Sequence, residues 1–180
     1  DLTIVIPSYE RQSFLRRQVD FWHIFKAKII ILDGSKTPIF DYLSNRKLSG
    51  NITYLHLPIS LEERFKYVQS LIKTEYAVLL SDDEYFVPSA LKKCIIELKK
   101  NSDLVSCKGQ AIWFEYFKGE IMCKETYKNL NSYQIDEDSP ILRIKKHMNE
   151  YKMLTLWAVM KSDVFVKTMQ AISYYSGYKS

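Results

Sequence analysis

Three short, almost unbroken apolar runs, each ending at a polar cluster, constrain this chain more than any other feature. Residues 2–6 run into Pro7, residues 28–32 into Asp33-Gly34-Ser35, and residues 76–80 into Ser81-Asp82-Asp83-Glu84. Runs this short have strand length and fall far short of the roughly 20 residues needed to cross a bilayer. Strands that are apolar on both faces belong to parallel sheets covered by helices on either side. A weaker run at residues 51–57 makes a further strand, stopped by Pro58.

Helical patterns fill the intervals. Leu15, Val19 and Trp22 recur at i, i+4 and i+7 behind Ser13, the expected cap. Ser60 and Glu63 have capping-box spacing ahead of Leu61, Phe65, Val68 and Ile72. Pro88-Ser89 opens a third helix with Leu91, Cys94, Ile95 and Leu98 inward, and Ser139 or Pro140 opens a fourth. Residues 104–107, 112–116 and 153–160 read as strands, and Ser162 caps a last helix carrying Phe165, Met169 and Ile172. The order predicts an α/β fold: a Rossmann-like, mostly parallel central sheet flanked by helices on both faces, as a single domain over residues 1–180.

Composition closes off other classes. Of 180 residues, 47% are hydrophobic and 14% aromatic, too many for a disordered tail. The net charge of +5 is scattered along helical stretches and does not interleave with aromatics, so no nucleic-acid partner is expected. Cys94, Cys107 and Cys123 have no metal or redox spacing, and their apolar settings predict buried, reduced thiols in a cytoplasmic compartment. His23, His56 and His147 lack ligand spacing and read as core or surface residues. No signal-peptide pattern opens the sequence. It starts at Asp1 and stops soon after a helical pattern, which predicts a piece truncated on its C-terminal side.

Open parallel sheets bind ligands at the carboxyl ends of their strands. Residues 7–11, 33–35 and 81–84 would all meet at that edge. The Asp82-Asp83-Glu84 run carries the strongest signal, because adjacent carboxylates repel unless a cation or donors compensate. Their oxygens suit Mn²⁺ or Mg²⁺ completed by phosphate oxygens. By itself the run is equally a lead into a helix, whose N-terminus favours acids.

Ile4-Val5-Ile6-Pro7-Ser8-Tyr9-Glu10-Arg11, Ile29-Ile30-Ile31-Leu32-Asp33-Gly34-Ser35, and Ser81-Asp82-Asp83-Glu84 followed by Pro88-Ser89-Ala90-Leu91 resemble, in that order, the motifs of family 2 glycosyltransferases of GT-A fold. The match covers roughly residues 2–110 and is weaker near 154–164. The resemblance implies a nucleotide-sugar site. Pro7, Ser8 and Tyr9 would lie against the base, Glu10 and Arg11 would flank the base or ribose, and Asp33 would accept a hydrogen bond from either. Arg64 or Lys66 would reach the base or phosphates. Asp83 falls where the family's metal-binding Asp lies and Asp82 at the middle place. Ser81 replaces the first Asp, which favours an Asp82–Asp83 pair. Plainer readings stand beside these: Tyr9 as a rim aromatic, Asp33 as a turn former, Arg64 and Lys66 as exposed helix charges.

The activity so implied is metal-dependent, inverting sugar transfer from a nucleoside-diphosphate sugar, with a UDP-sugar favoured, to a glycan or lipid-linked acceptor. Peripheral association with the inner face of the membrane is a further expectation. The catalytic base is not placed. Asp136-Glu137-Asp138 reads as a solvated loop. Trp113, Phe114, Tyr116 and Phe117 read as core, with an acceptor-side sugar platform as the alternative. A non-catalytic nucleotide-sugar-binding module is the second functional reading. A nucleotidyltransferase would need a Gly-rich loop after the first strand, and residues 8–13 contain no Gly.

Overall fold

The structure is a computed structural model describing residues 1–46, 50–128, 130, 133–149 and 151–175. In chain order the elements are β1 (Leu2–Ser8), α1 (Gln12–Trp22), β2 (Lys28–Asp33), α2 (Phe40–Ser44), β3 (Ile52–His56), α3 (Leu61–Leu71), β4 (Tyr76–Leu79), α4 (Pro88–Lys100), β5 (Ser106–Cys107), β6 (Ile112–Phe117), β7 (Glu120–Glu125), α5 (Pro140–Asn149), a 3₁₀ turn at Met153–Trp157, β8 (Val159–Lys161) and α6 (Ser162–Tyr175). The chain divides into two compact units, residues 1–107 with 159–180, and residues 108–158.

The first unit is built on a six-stranded sheet of order β3-β2-β1-β4-β8-β5. β3, β2, β1 and β4 run parallel, and β8 is antiparallel to both its neighbours. The apolar runs explain the arrangement. Leu2, Ile4 and Ile6 join Leu15, Val19 and Trp22 of α1 and Leu91, Cys94 and Leu98 of α4 in one buried cluster. Side chains alternate along a strand, so Thr3 and Val5 face the other way, where α3 and α6 pack on each other through the side of the sheet that Phe65, Val68, Phe165 and Met169 bury.

Pro7 lies inside β1, paired with Leu32, and does not stop the strand. The reason is geometric. Val5 O accepts from Leu80 N on the β4 side, and two residues later the nitrogen of Pro7 faces that same side. The β1–β4 pairing has already ended at Val5 and Leu79, so the missing N–H breaks no ladder bond.

Several local expectations are corrected. α1 starts at Gln12 with Arg11 at the cap position and no side-chain cap; Ser13 is already helical, and the Arg11 side chain is engaged elsewhere. Ser162 likewise is the first residue of α6. Residues 153–160 split into a 3₁₀ turn and a short strand. The capping box forms as read, with Ser60 Oγ accepting from Glu63 N at 3.3 Å and Glu63 Oε2 from Ser60 N at 3.2 Å.

In the second unit, β6 and β7 pair as a two-stranded antiparallel sheet. Trp113, Phe114, Tyr116 and Phe117 are exposed, not core, because this small sheet covers neither of its faces. Lys124 lies over the Trp113 ring at 4.6 Å. The acidic run at 136–138 is tied to α5, not simply solvated: Glu137 pairs with Lys146 at 2.6 Å, and Arg143 Nη1 donates to the carbonyls of Glu137 and Asp138. All three cysteines are free thiols, but only Cys94 is buried; Cys107 is half-buried and Cys123 exposed.

Candidate functional site

The parallel register brings the ends of β1 and β2 level, with Ser8 opposite Asp33. The acidic segment leaves β4 beside them and closes a turn through Glu84 N donating to Ser81 O at 3.2 Å. Ser8 Oγ donates to Asp82 Oδ2 at 2.7 Å. Arg11 then bridges both acids, Nη1 to Asp82 Oδ1 at 3.0 Å and Nη2 to Asp83 Oδ2 at 2.8 Å. The guanidinium also lies over the Phe14 ring at 4.3 Å. Asp82 is buried, whereas the side chain of Asp83 is 42% exposed. One carboxylate is thus fixed in the sheet edge and the other faces outward.

A residue not singled out from the sequence holds this turn in place. Gln18 is fully buried on α1, and its Nε2 donates to the carbonyls of Asp82 at 3.0 Å and Glu84 at 2.7 Å. Its Oε1 accepts from Trp22 Nε1 at 2.8 Å. The available signal was a polar residue inside the apolar stripe Leu15, Val19, Trp22.

The loops after β1 and β2 are laced together. Glu10 adopts φ 55°, a left-handed conformation that most residues with a Cβ avoid. The bend lets its N–H reach Ser35 Oγ at 2.7 Å and its Oε1 accept from Lys36 N at 2.8 Å. Gln12 adds a bond to Thr37 O at 3.1 Å. Asp33 is fully buried, its Oδ1 accepting from Ser35 N at 2.9 Å and its Oδ2 from the Tyr54 hydroxyl at 2.6 Å. His56 Nε2 sits 2.7 Å from Ser35 O.

Arg64 reaches this edge from α3, and it is buried, not an exposed helix charge. Its Nη1 donates to Ser8 O at 2.7 Å and Leu32 O at 2.8 Å, capping the ends of β1 and β2. Its Nε is buried and, among the described residues, has no hydrogen-bond partner. Gly34 makes room for it: a Cβ there would stand 2.6 Å from Arg64 Cζ. Lys66, also on α3, is exposed.

The electrostatics follow from burial. Desolvation raises the pKa of Asp82, with the Ser8 hydrogen bond and the Arg11 charge opposing. Glu84 is raised by burial and then by Asp83. The Asp83 hydrogen bond holds Arg11 above its ordinary value, and burial lowers Arg64, with Asp33 opposing.

Tyr9, at the rim, is 58% exposed, and Pro7 is half-buried. The structure therefore brings Ser8, Glu10, Arg11, Asp33, Asp82 and Asp83 into one bonded network. It leaves Tyr9 and Lys66 with their side chains in solvent. Among the described residues no three His, Cys, Asp or Glu side chains gather as a metal cage. Two adjacent carboxylates still fit a hard divalent cation that takes its other ligands from phosphates and water, as Mg²⁺ does.

No protein-family model matches the sequence, and no curated protein is significantly similar to it. Solved structures do match. The chain is similar to S. aureus TarS 1–349, with a TM-score of 0.54 and 11% identity over 93% of this chain and 49% of that one. A second structure of S. aureus TarS gives 0.51 and 11% identity over 93% of this chain and 29% of that one. A mannosyltransferase from Pyrobaculum calidifontis, PcManGT in complex with GDP-Man and Mn²⁺, is aligned over 58% of this chain and 34% of that one, with 12% identity and a TM-score of 0.45, too loose to support any inference. The likeness is one of fold. This chain has the mixed α/β architecture of GT-A-type glycosyltransferases, and it spans about half or less of the structures it matches.

Proposed function

We propose that this chain is the nucleotide-sugar-binding part of a metal-dependent glycosyltransferase of family 2 type. It would take a sugar from a nucleoside-diphosphate donor, with uridine diphosphate the favoured carrier, and deliver it to a glycan or lipid-linked acceptor with inversion. The observation that carries the reading is the Ser8–Asp82–Arg11–Asp83 network at the carboxyl edge of a parallel sheet of this fold.

Each residue takes a role its surroundings suit. Tyr9 has an exposed ring for the base, with Pro7 beside it. Asp83 presents a carboxylate outward, and Asp82 stands behind it, fixed by Ser8. These two would hold Mn²⁺ or Mg²⁺. Held by these two carboxylates, such an ion would supply positive charge to the diphosphate leaving group. Arg11 supplies the counter-charge to both acids in the free protein, and phosphate oxygens offer its fork an equivalent partner. Asp33 is enclosed, so its role is to set the Ser35 backbone and the Tyr54 hydroxyl that line the base side. Glu10 ties those loops together, and Arg64 clamps the strand ends beneath them. Lys66 is free to approach phosphates. The acceptor base is left unassigned, and cytoplasmic placement at the inner membrane face belongs to the same proposal.

A second reading is donor binding without transfer. It is favoured by Asp82, both of whose oxygens are already engaged, by Ser8 and by Arg11. A thermal-shift screen of nucleoside diphosphates and their sugars, with and without Mn²⁺, tests the binding common to both. The expected result is a Tm increase for one base that depends on the metal. No shift with any diphosphate would end both readings. Transfer of a labelled sugar by a longer chain then separates them.

A further inference from the structure

The unit spanning residues 108–158 holds charges that the donor site does not use. The Lys108 ammonium is buried and, among the described residues, has no hydrogen-bond partner. It lies over the Tyr133 ring at 5.4 Å, and it faces a second cation, Lys152. Burial first, and Lys152 second, pull its pKa down to about 8. A buried ammonium with a like charge beside it is costly unless an anion joins them.

The surroundings offer an anion a seat. A pocket of about 390 Å³ is lined by His147, Tyr151, Lys152, Thr155, Leu156 and Trp157. The Tyr133 hydroxyl stands 3.1 Å from His147 Nδ1. Tyr133 thereby links the Lys108 site to the pocket wall, and Lys152 belongs to both. An ammonium, an imidazole and a hydroxyl suit phosphate oxygens. Two aromatic side chains beside them suit the C–H faces of a sugar or polyol.

We propose that this pocket binds the phosphate group of a phosphorylated sugar or polyol. Lys152 and His147 meet the phosphate, Tyr151 and Trp157 flank the carbon skeleton, and Lys108 supplies the buried counter-charge. On the glycosyltransferase reading, and only on it, this ligand is the acceptor, which then carries a phosphate beside its hydroxyls.

Calorimetric titration of glucose 1-phosphate into the 180-residue chain tests this, with glucose, inorganic phosphate and UDP as separate titrants. Glucose 1-phosphate is expected to bind more tightly than inorganic phosphate, and glucose not to bind. Lys152→Met and Lys108→Met should each weaken the ester roughly tenfold or more, the size of losing a charged partner, and leave UDP binding unchanged. Lys108→Met should also raise the Tm of the free protein, which a merely structural lysine would not do. Wild-type affinity in both variants, or glucose binding as tightly as its phosphate, would overturn the proposal. So would capture by phosphatidylglycerol vesicles without binding of the soluble ester, which would assign the cations to a lipid headgroup. Loss of UDP binding with the ester site intact would sink the donor reading alone; the reverse would sink this one.

Discussion

Arg11 does for Asp82 and Asp83 what a bound cation would do, from a side chain that is itself 40% exposed. One positive charge is therefore already set against the two acids before any metal arrives, and a metal must compete with the guanidinium. Arg11→Gln is expected to let Mn²⁺ bind without nucleotide, at least about tenfold more tightly than in the wild type, since a charged hydrogen bond is typically worth 1.5–3 kcal/mol. Electron paramagnetic resonance of free Mn²⁺ measures this, and an unchanged spectrum in the variant would refute it. Lys108 gives a pH prediction. Its folded pKa lies below the ordinary lysine value, so the unfolded chain keeps the proton to higher pH. Stability should then rise with pH between about 8 and 10.5. Below that window both states are protonated and the full penalty stands. Among the described residues, the groups facing this ammonium are Lys152 and the Tyr133 ring. Chemical melts of the wild type against Lys108→Met should converge as pH climbs through the window; parallel curves would contradict it.

At the scale of elements, the site depends on α1 and α3 holding loops by side chains that face inward. Gln18→Leu keeps the apolar stripe but leaves the carbonyls of Asp82 and Glu84 and the Trp22 N–H without their partner. It should cost about 1–3 kcal/mol in urea melts and loosen the acidic turn, seen as weaker diphosphate binding. Gly34→Ala puts a methyl against Arg64 Cζ and should cost a similar amount, about 1–3 kcal/mol, by overpacking. The apolar runs and helix stripes were legible because burial on a parallel sheet leaves a one-dimensional pattern. The capping box was legible because both partners lie within four residues. The cap at Ser13 was misread because a local preference for Ser says nothing of Arg11, whose partners are 71 and 72 positions away (Asp82 and Asp83). Gln18, His56 and Arg64 escaped a definite role for the same reason: each acts on backbone carbonyls that only the folded sheet edge brings near.

For the whole molecule, the sheet order places the ends of β1, β2 and β4 side by side, and three clusters far apart in sequence become one bonded network. That convergence followed from reading the strands as parallel. What did not follow was the character of residues 108–158. Their aromatic strand carries as much apolar side chain as a core strand, and composition alone cannot tell a face that is covered from one that is not. The buried Lys108 was equally invisible, since an isolated lysine in a sequence reads as a solvated charge. The claim on which the functional reading turns is that Asp83, backed by Asp82, holds a divalent ion against a nucleoside diphosphate. Calorimetric titration of UDP in Mn²⁺ and in EDTA, for the wild type and for Asp83→Asn, measures it directly. The predicted result is Mn²⁺-dependent binding in the wild type that weakens at least about tenfold in the variant, in line with loss of a charged ligand. Equal UDP affinity in all four titrations would contradict it.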